Sequence, residues 1–146
     1  MIGFLLDTNV ISEAVRAEPD SSVSTWMDEI DEDLMYLSVL TLGEIRQGIA
    51  RLAQGTRRLR LERWLDVEVR ARFSGRILPI NEEIAERWGS LMTEARRVGK
   101  SLGVVDGLLA ATALEHGLTL ATRNIKDFAR LGVSLSNPWP EHGDGR

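Results

Sequence analysis

Short apolar runs, each too brief for a helix, alternate along this chain with segments of helical periodicity, and that alternation restricts the fold to an α/β arrangement. Ile2 to Leu6 reads as a buried strand that stops at a carboxylate, Asp7, with a helix expected from about Asn9 to Val15. Asp20, Ser21 and Ser22 mark the start of a helix whose apolar face carries Val23, Trp26, Met27 and Ile30. Leu34 to Val39 is a second strand, after which Thr41 is placed to cap a helix carrying Leu42, Ile45, Ile49 and Leu52, ended by the break at Gly55. One long arginine-rich helix is expected over residues 57–73, burying Leu61, Trp64, Leu65 and Phe73. A strand at Ile77 to Ile80 leads to a helix capped by Asn81, with Glu82 and Glu83 at the positive end of its dipole and Gly99 at its close. A helix over residues 104–115 ends at Gly117, and strands follow at Leu118 to Ala121 and Val133 to Leu135. The pattern predicts a mainly parallel sheet, whose ligand sites lie outside the carboxyl ends of the strands.

With 146 residues and no internal repeat, the chain fits one domain spanning 1–146. From Asn137 the sequence NPWPEHGDGR holds two prolines, two glycines and little to bury except Trp139, so an irregular tail is expected there. The chain has no cysteine and only two scattered histidines, His116 and His142, which excludes disulfides, thiol nucleophiles and Cys- or His-based metal sites. Any metal must be held by oxygen. No segment approaches the roughly 20 apolar residues that span a bilayer, and no basic leader precedes the first strand, so a soluble, cytoplasmic protein is expected.

The net charge of −4 hides an asymmetry. Residues 7–33 hold nine acids against Arg16 alone, whereas residues 51–76 hold eight arginines against Glu62, Asp66 and Glu68. The arginine run is either a solvated helix face or a stripe that tracks phosphates.

Three acids stand out. Asp7 follows an apolar strand and precedes a helix, where it is either a plain N-cap or a functional carboxylate. Glu44 sits beside the apolar stripe of its helix, with Gly48 one turn on, and reads as a boundary surface residue or as part of a site. Asp106 is the most informative, because its helix is nearly devoid of other charge from Leu102 to Leu114. Val105, Leu108, Leu109 and Thr112 define its expected core face, so the carboxylate should be partly buried and needs a partner. That partner is an arginine such as Arg123, or a metal. Three acids with no His or Cys beside them suit Mg²⁺ or Mn²⁺, hard cations that prefer oxygen. Such an ion polarises a phosphoryl oxygen and lowers the pKa of water, which points to phosphodiester hydrolysis.

The runs LLDTNVISE at 5–13, LTLGEIRQGI at 40–49 and VVDGLLAATALEHGLTLATRNIKDF at 104–128 together resemble PIN-domain endoribonucleases of the VapC and FitB toxin type, over nearly the whole chain. The resemblance implies a three-layer α/β/α domain with a mainly parallel sheet and a Mg²⁺- or Mn²⁺-dependent ribonuclease activity. By motif position, Asp7, Glu44 and Asp106 match the main catalytic and metal-binding acids of such enzymes. Asn9 and Thr122 match polar positions that support the site, and Arg123 is placed to contact substrate phosphate or steady the acids. The fourth acid is open: Asn124 occupies one family position, and Asp127 stands three residues on. The resemblance also implies a cognate antitoxin and pairing as a homodimer. Exposed parts of the helices around Trp26 and Trp64 are one place for a partner peptide with apolar anchors, although tryptophans at such positions more often belong to the core. The rival is a PIN fold that binds RNA or a partner without cutting. Phosphatases of the haloacid dehalogenase type need an acid where Asn9 stands, receiver domains need one adjacent to Asp7, and no phosphate-cradling P-loop occurs.

Overall fold

The computed structural model describes residues 2–140. Its strands are β1 (Phe4–Leu6), β2 (Met35–Ser38), β3 (Ile77–Leu78), β4 (Thr119–Ala121) and β5 (Leu135–Ser136). They form one sheet in the order β3-β2-β1-β4-β5, and every pairing is parallel. The helices are α1 (Thr8–Glu13), α2 (Ser21–Glu29), α3 (Val39–Ala50), α4 (Thr56–Arg63), α5 (Arg70–Arg72), α6 (Glu82–Arg97), α7 (Val104–His116) and α8 (Ile125–Phe128), with a 3₁₀ turn at Glu32–Leu34. A π-helical stretch, Trp64–Val69, joins α4 to α5.

Alternation along the strands builds two cores. Leu6, Met35, Leu37 and Ala121 face one side with Val10, Ile11, Val23, Met27, Ile45, Ile49, Leu65, Val69 and Phe73. Leu5 and Leu120, one residue out of phase, face the other with Ile84, Leu91, Leu109, Ala110 and Phe128. Helices on both faces give the three-layer α/β/α fold expected from the sequence. The arginine-rich segment is continuous as expected, but its middle winds wider than an α-helix, and Leu65, Val69 and Phe73 are its buried residues. Leu61 and Trp64 are only half-buried.

The order of the strands sets the position of the site. From central β1 the chain moves outward to β2 and β3, then crosses to β4 on the opposite side, which leaves a crevice at the carboxyl ends of β1 and β4. α1, α3 and α8 start at or just beyond strand ends, and α7 runs down to the start of β4, so its first turn lies at the same edge. Asp7, Glu44, Asp106 and Asp127 are thereby delivered to one rim.

Several local expectations are corrected. Ser38, not Thr41, caps α3, its hydroxyl accepting from the Leu40 N–H at 3.0 Å, because the chain turns into helix directly at the strand end. Thr41 is buried with no partner for its hydroxyl among the described residues. Gly55, at φ +157°, precedes α4 rather than closing α3. Val105 is exposed, not core: α7 buries Gly107 and the run Leu109 to Ala113, since small residues there let it lie between α6 and the sheet. The last strand starts at Leu135, and α8 lies where no element was expected. Residues 137–140 are irregular, but Trp139 is buried in the first core rather than loose. The remainder of the expected tail, 141–146, lies outside the described residues. Among the described residues, no helix is long and apolar enough to cross a membrane.

Gly107 makes the α6–α7 contact possible. A Cβ there would sit 2.5 Å from Met92 Sδ and 3.0 Å from Trp88 Nε1. Gly107→Val should therefore destabilise the fold by about 1–3 kcal/mol through overpacking, seen as a lower urea midpoint with an unchanged slope.

Candidate active site

Asp7 ends β1 and caps α1. Its Oδ1 accepts the Thr8 N–H at 2.7 Å and its Oδ2 accepts the Thr122 hydroxyl at 2.8 Å, while its own N–H bonds to Ala121 O at 2.9 Å. Thr122, wholly buried just beyond β4, also accepts the Asn124 N–H at 3.0 Å. One hydroxyl thus fixes a carboxylate on one strand end and the loop after the neighbouring strand. Burial pushes the Asp7 carboxyl above its ordinary range, the bonds from Thr122 and Thr8 oppose this, and the charge of Glu44 adds to the rise.

Glu44 reaches the same place from the second turn of α3, its Oε1 accepting the Thr8 hydroxyl at 2.5 Å. Asp106 lies in the first turn of α7 with no hydrogen bond to its side chain among the described residues. Its carboxyl is raised first by burial, then by the charges of Asp7, Glu44 and Asp127. The three motif acids therefore share one electrostatic neighbourhood, and Asp127, exposed in α8, acts on it from the rim. Asn124 contributes its backbone N–H. Asn9 Oδ1 accepts the Arg123 N–H at 3.4 Å, which ties α1 to the loop after β4.

None of Asp7, Glu44, Asp106 or Asp127 forms an ion pair among the described residues. The arginine partner considered for Asp106 is engaged elsewhere, since the Arg123 guanidinium lies over the Trp139 ring, 5.0 Å from its centroid. Among the described residues no three acidic or histidine side chains close tightly enough to enclose an ion. Carboxylates without a counter-charge repel one another, and a hydrated Mg²⁺ takes only one or two of them directly. The all-oxygen donors, the missing counter-cation and the mutual repulsion fit a hard divalent ion.

The arginine run divides. Arg58 pairs with Glu62, Arg72 with Glu32, and Arg76 donates to the carbonyls of Glu32 and Met35, with Arg72 and Arg76 each 5.4 Å from the Phe73 ring centroid. These hold the scaffold together. Arg51, Arg57, Arg60, Arg63 and Arg70 form no ion pair among the described residues and are exposed. Beside Glu44 and Thr8 a groove of about 350 Å³ runs past Ile45 and Leu61 to Trp64, with Arg57 on its wall. Trp26, also half-buried, packs edge-on against Phe4 at 5.1 Å and lines a separate surface groove with Ser22, Thr25 and Pro138.

Sequence reasoning missed two contributors. Thr8 binds a glutamate 36 positions away, and its only local signal is a hydroxyl placed between Asp7 and Asn9. Trp139 reads from sequence as part of an irregular tail, yet it is buried and carries the Arg123 guanidinium. Thr122→Val, which keeps the shape and removes the hydroxyl, should cost about 1.5–3 kcal/mol at pH 7.5, the range for a buried bond to a charged group. The loss should shrink as pH falls and Asp7 takes up a proton, which urea unfolding at the two pH values would show.

Residues 4–133 match the PIN domain family. The chain is similar to the VapC ribonuclease Y4jK of Sinorhizobium fredii, at 41% identity over 92% of this chain and 96% of that protein. It is similar to Toxin FitB of Neisseria gonorrhoeae, at 40% identity over 92% and 97% of the two chains. A crystal structure of FitAcB from Neisseria gonorrhoeae contains a chain of the same shape, with a TM-score of 0.90 and 39% identity, covering 94% of this chain and 99% of that one.

Proposed function

This chain belongs to the PIN-domain family, and from that premise we propose that it is the ribonuclease toxin of a toxin–antitoxin pair, hydrolysing RNA phosphodiesters with Mg²⁺ or Mn²⁺ held by Asp7, Glu44 and Asp106. The observation that carries this reading is the convergence of three motif acids at one strand-end crevice with no cationic partner among the described residues. A divalent ion bound there supplies Lewis acidity to a phosphoryl oxygen and acidifies water for in-line attack. The chain's own residues set the geometry for that chemistry. Thr122 and the Thr8 N–H fix both oxygens of Asp7, the Thr8 hydroxyl orients Glu44, and α7 presents Asp106 from the opposite wall. A module that only bound RNA would gain nothing from a repulsive carboxylate cluster facing a polyanion.

The antitoxin part of the reading is supported by the relatives, whose solved forms include toxin–antitoxin complexes. The groove between Glu44 and Trp64 suits a peptide with apolar anchors, which would cover the acids from one side. The test is incubation of the purified chain, free of antitoxin, with a mixture of transfer and messenger RNA, in Mn²⁺ or Mg²⁺ and in EDTA. Cleavage in the metal and none in EDTA is the expected result. Folded protein that leaves every RNA intact in metal would overturn the reading.

A further inference from the structure

We propose that Trp139 is a positioning residue: it holds the Arg123 guanidinium off the carboxylates and at the rim of the site, where Arg123 grips an RNA phosphate next to the scissile one. The inference rests on the ribonuclease reading above and adds a phosphate contact and its support.

Arg123 directly follows Thr122, whose hydroxyl holds Asp7, and its own N–H donates to Asn9. Its main chain is therefore tied to the site from two elements, and a long cationic side chain rooted there would ordinarily be drawn onto the four acids, which form no ion pair among the described residues. It is not. The guanidinium lies over the Trp139 ring, and among the described residues no cation is one of the groups that act on the carboxyls of Asp7 or Asp106.

The platform is rigid, because Trp139 is buried and packs in the core cluster that contains Leu6, Val10 and Ala121. A cation–π contact uses no N–H donor in a conventional hydrogen bond, so donors of the guanidinium fork stay available to a phosphate. Arg123 is itself exposed. Two consequences follow from one contact: the acids stay free for a cation, and a fixed positive charge stands beside them for the polyanionic substrate.

The experiment compares the native chain with Arg123→Ala, Arg123→Lys, Trp139→Leu and the Trp139→Leu/Arg123→Ala pair, after circular dichroism has shown which are folded. Three measurements are made: anisotropy of a fluorescent single-stranded RNA in EDTA across a salt series, cleavage kinetics giving KM and kcat, and Mn²⁺ affinity by electron paramagnetic resonance. Arg123→Ala should reduce the salt slope by roughly one contact and raise KM roughly tenfold, with the loss carried by KM rather than kcat. Arg123→Lys should recover only part, since it loses the fork and much of the stacking. Trp139→Leu should weaken Mn²⁺ binding roughly tenfold as the freed Arg123 falls onto the acids, and adding Arg123→Ala should restore it.

An unchanged salt slope and KM in Arg123→Ala would overturn the phosphate contact. A Trp139→Leu loss of Mn²⁺ affinity that Arg123→Ala does not restore would overturn the positioning role. If Trp139→Leu does not fold, Trp139→Phe, which keeps a buried aromatic but shrinks the face under the guanidinium, takes its place in the same cycle with Arg123→Ala, and unchanged Mn²⁺ affinity in folded Trp139→Phe would overturn the positioning role. A native chain that binds no RNA and cuts none would overturn the ribonuclease reading itself, which is a different failure from a native chain that binds RNA with an Arg123-independent slope.

Discussion

Asp106→Asn is expected to lower RNA cleavage by roughly 10³-fold, the size that follows from losing several kcal/mol of metal-assisted transition-state stabilisation. The fold should survive. The Asp106 side chain makes no hydrogen bond or ion pair among the described residues, and Asn has the same shape, so nothing structural is removed. What is removed is a charge that burial and three neighbouring carboxylates already disfavour. In the absence of divalent ions the variant should therefore melt at a higher temperature than the native chain at pH 7.5. A loss of activity accompanied by a gain in stability separates a functional charge from a structural one. Calorimetry and a cleavage time course on the same preparation give both numbers.

The second large effect is the response of stability to pH and metal. Asp7 and Asp106 both have carboxyls raised in the folded state, so the folded chain binds these protons more tightly than the unfolded one. By linkage, their ionisation costs stability above the folded values, and that cost is relieved as pH falls toward the ordinary carboxyl value of about 3.9. A divalent ion should remove the same cost from the other direction. At a hundredfold excess over its dissociation constant it adds about 2.7 kcal/mol. The gain from Mn²⁺ should be largest near pH 7.5 and fade as acid protonates the site. In an Asp7→Asn/Asp106→Asn double variant both the pH response of these groups and the response to Mn²⁺ should be lost. Scanning calorimetry at several pH values, with Mn²⁺ and with EDTA, would show this.

The parts of the molecule that were legible in the sequence are those governed by short-range pattern. Leu5 and Leu6 end a brief apolar run at Asp7, and Leu118 to Ala121 follows a helix closed by Gly117, so both central strands could be placed within a residue or two. Asp7 and Asp106 stand out in the sequence because each breaks an apolar context, Asp7 a strand and Asp106 a helix almost free of charge, whereas Glu44 on its helix boundary carries no such local signal. What was not legible depends on partners far away in the chain. Trp139 sits among prolines and glycines, and only the first core, assembled from residues before Phe73 and at Ala121, explains why it is buried. Val105 reads as core by its spacing, yet α7 turns its small residues inward because α6 packs against Gly107. The four-residue α8 is too short to carry a periodicity, and only its anchor, Phe128, is buried. Thr8 shows its use only when α3 brings Glu44 beside it. The same holds for Arg123, whose partner is an aromatic ring at the far end of the described chain rather than the nearby acids.

The central claim is that the crevice at the ends of β1 and β4 is a divalent-cation site formed by Asp7, Glu44 and Asp106. Crystals of the chain soaked in Mn²⁺ and measured at a wavelength where manganese scatters anomalously test it most directly. The account predicts an anomalous peak among these three carboxylates, at oxygen-ligand distance from at least one of them, and its disappearance in Asp106→Asn crystals. No peak there at saturating Mn²⁺, in a preparation that still cleaves RNA, would contradict it.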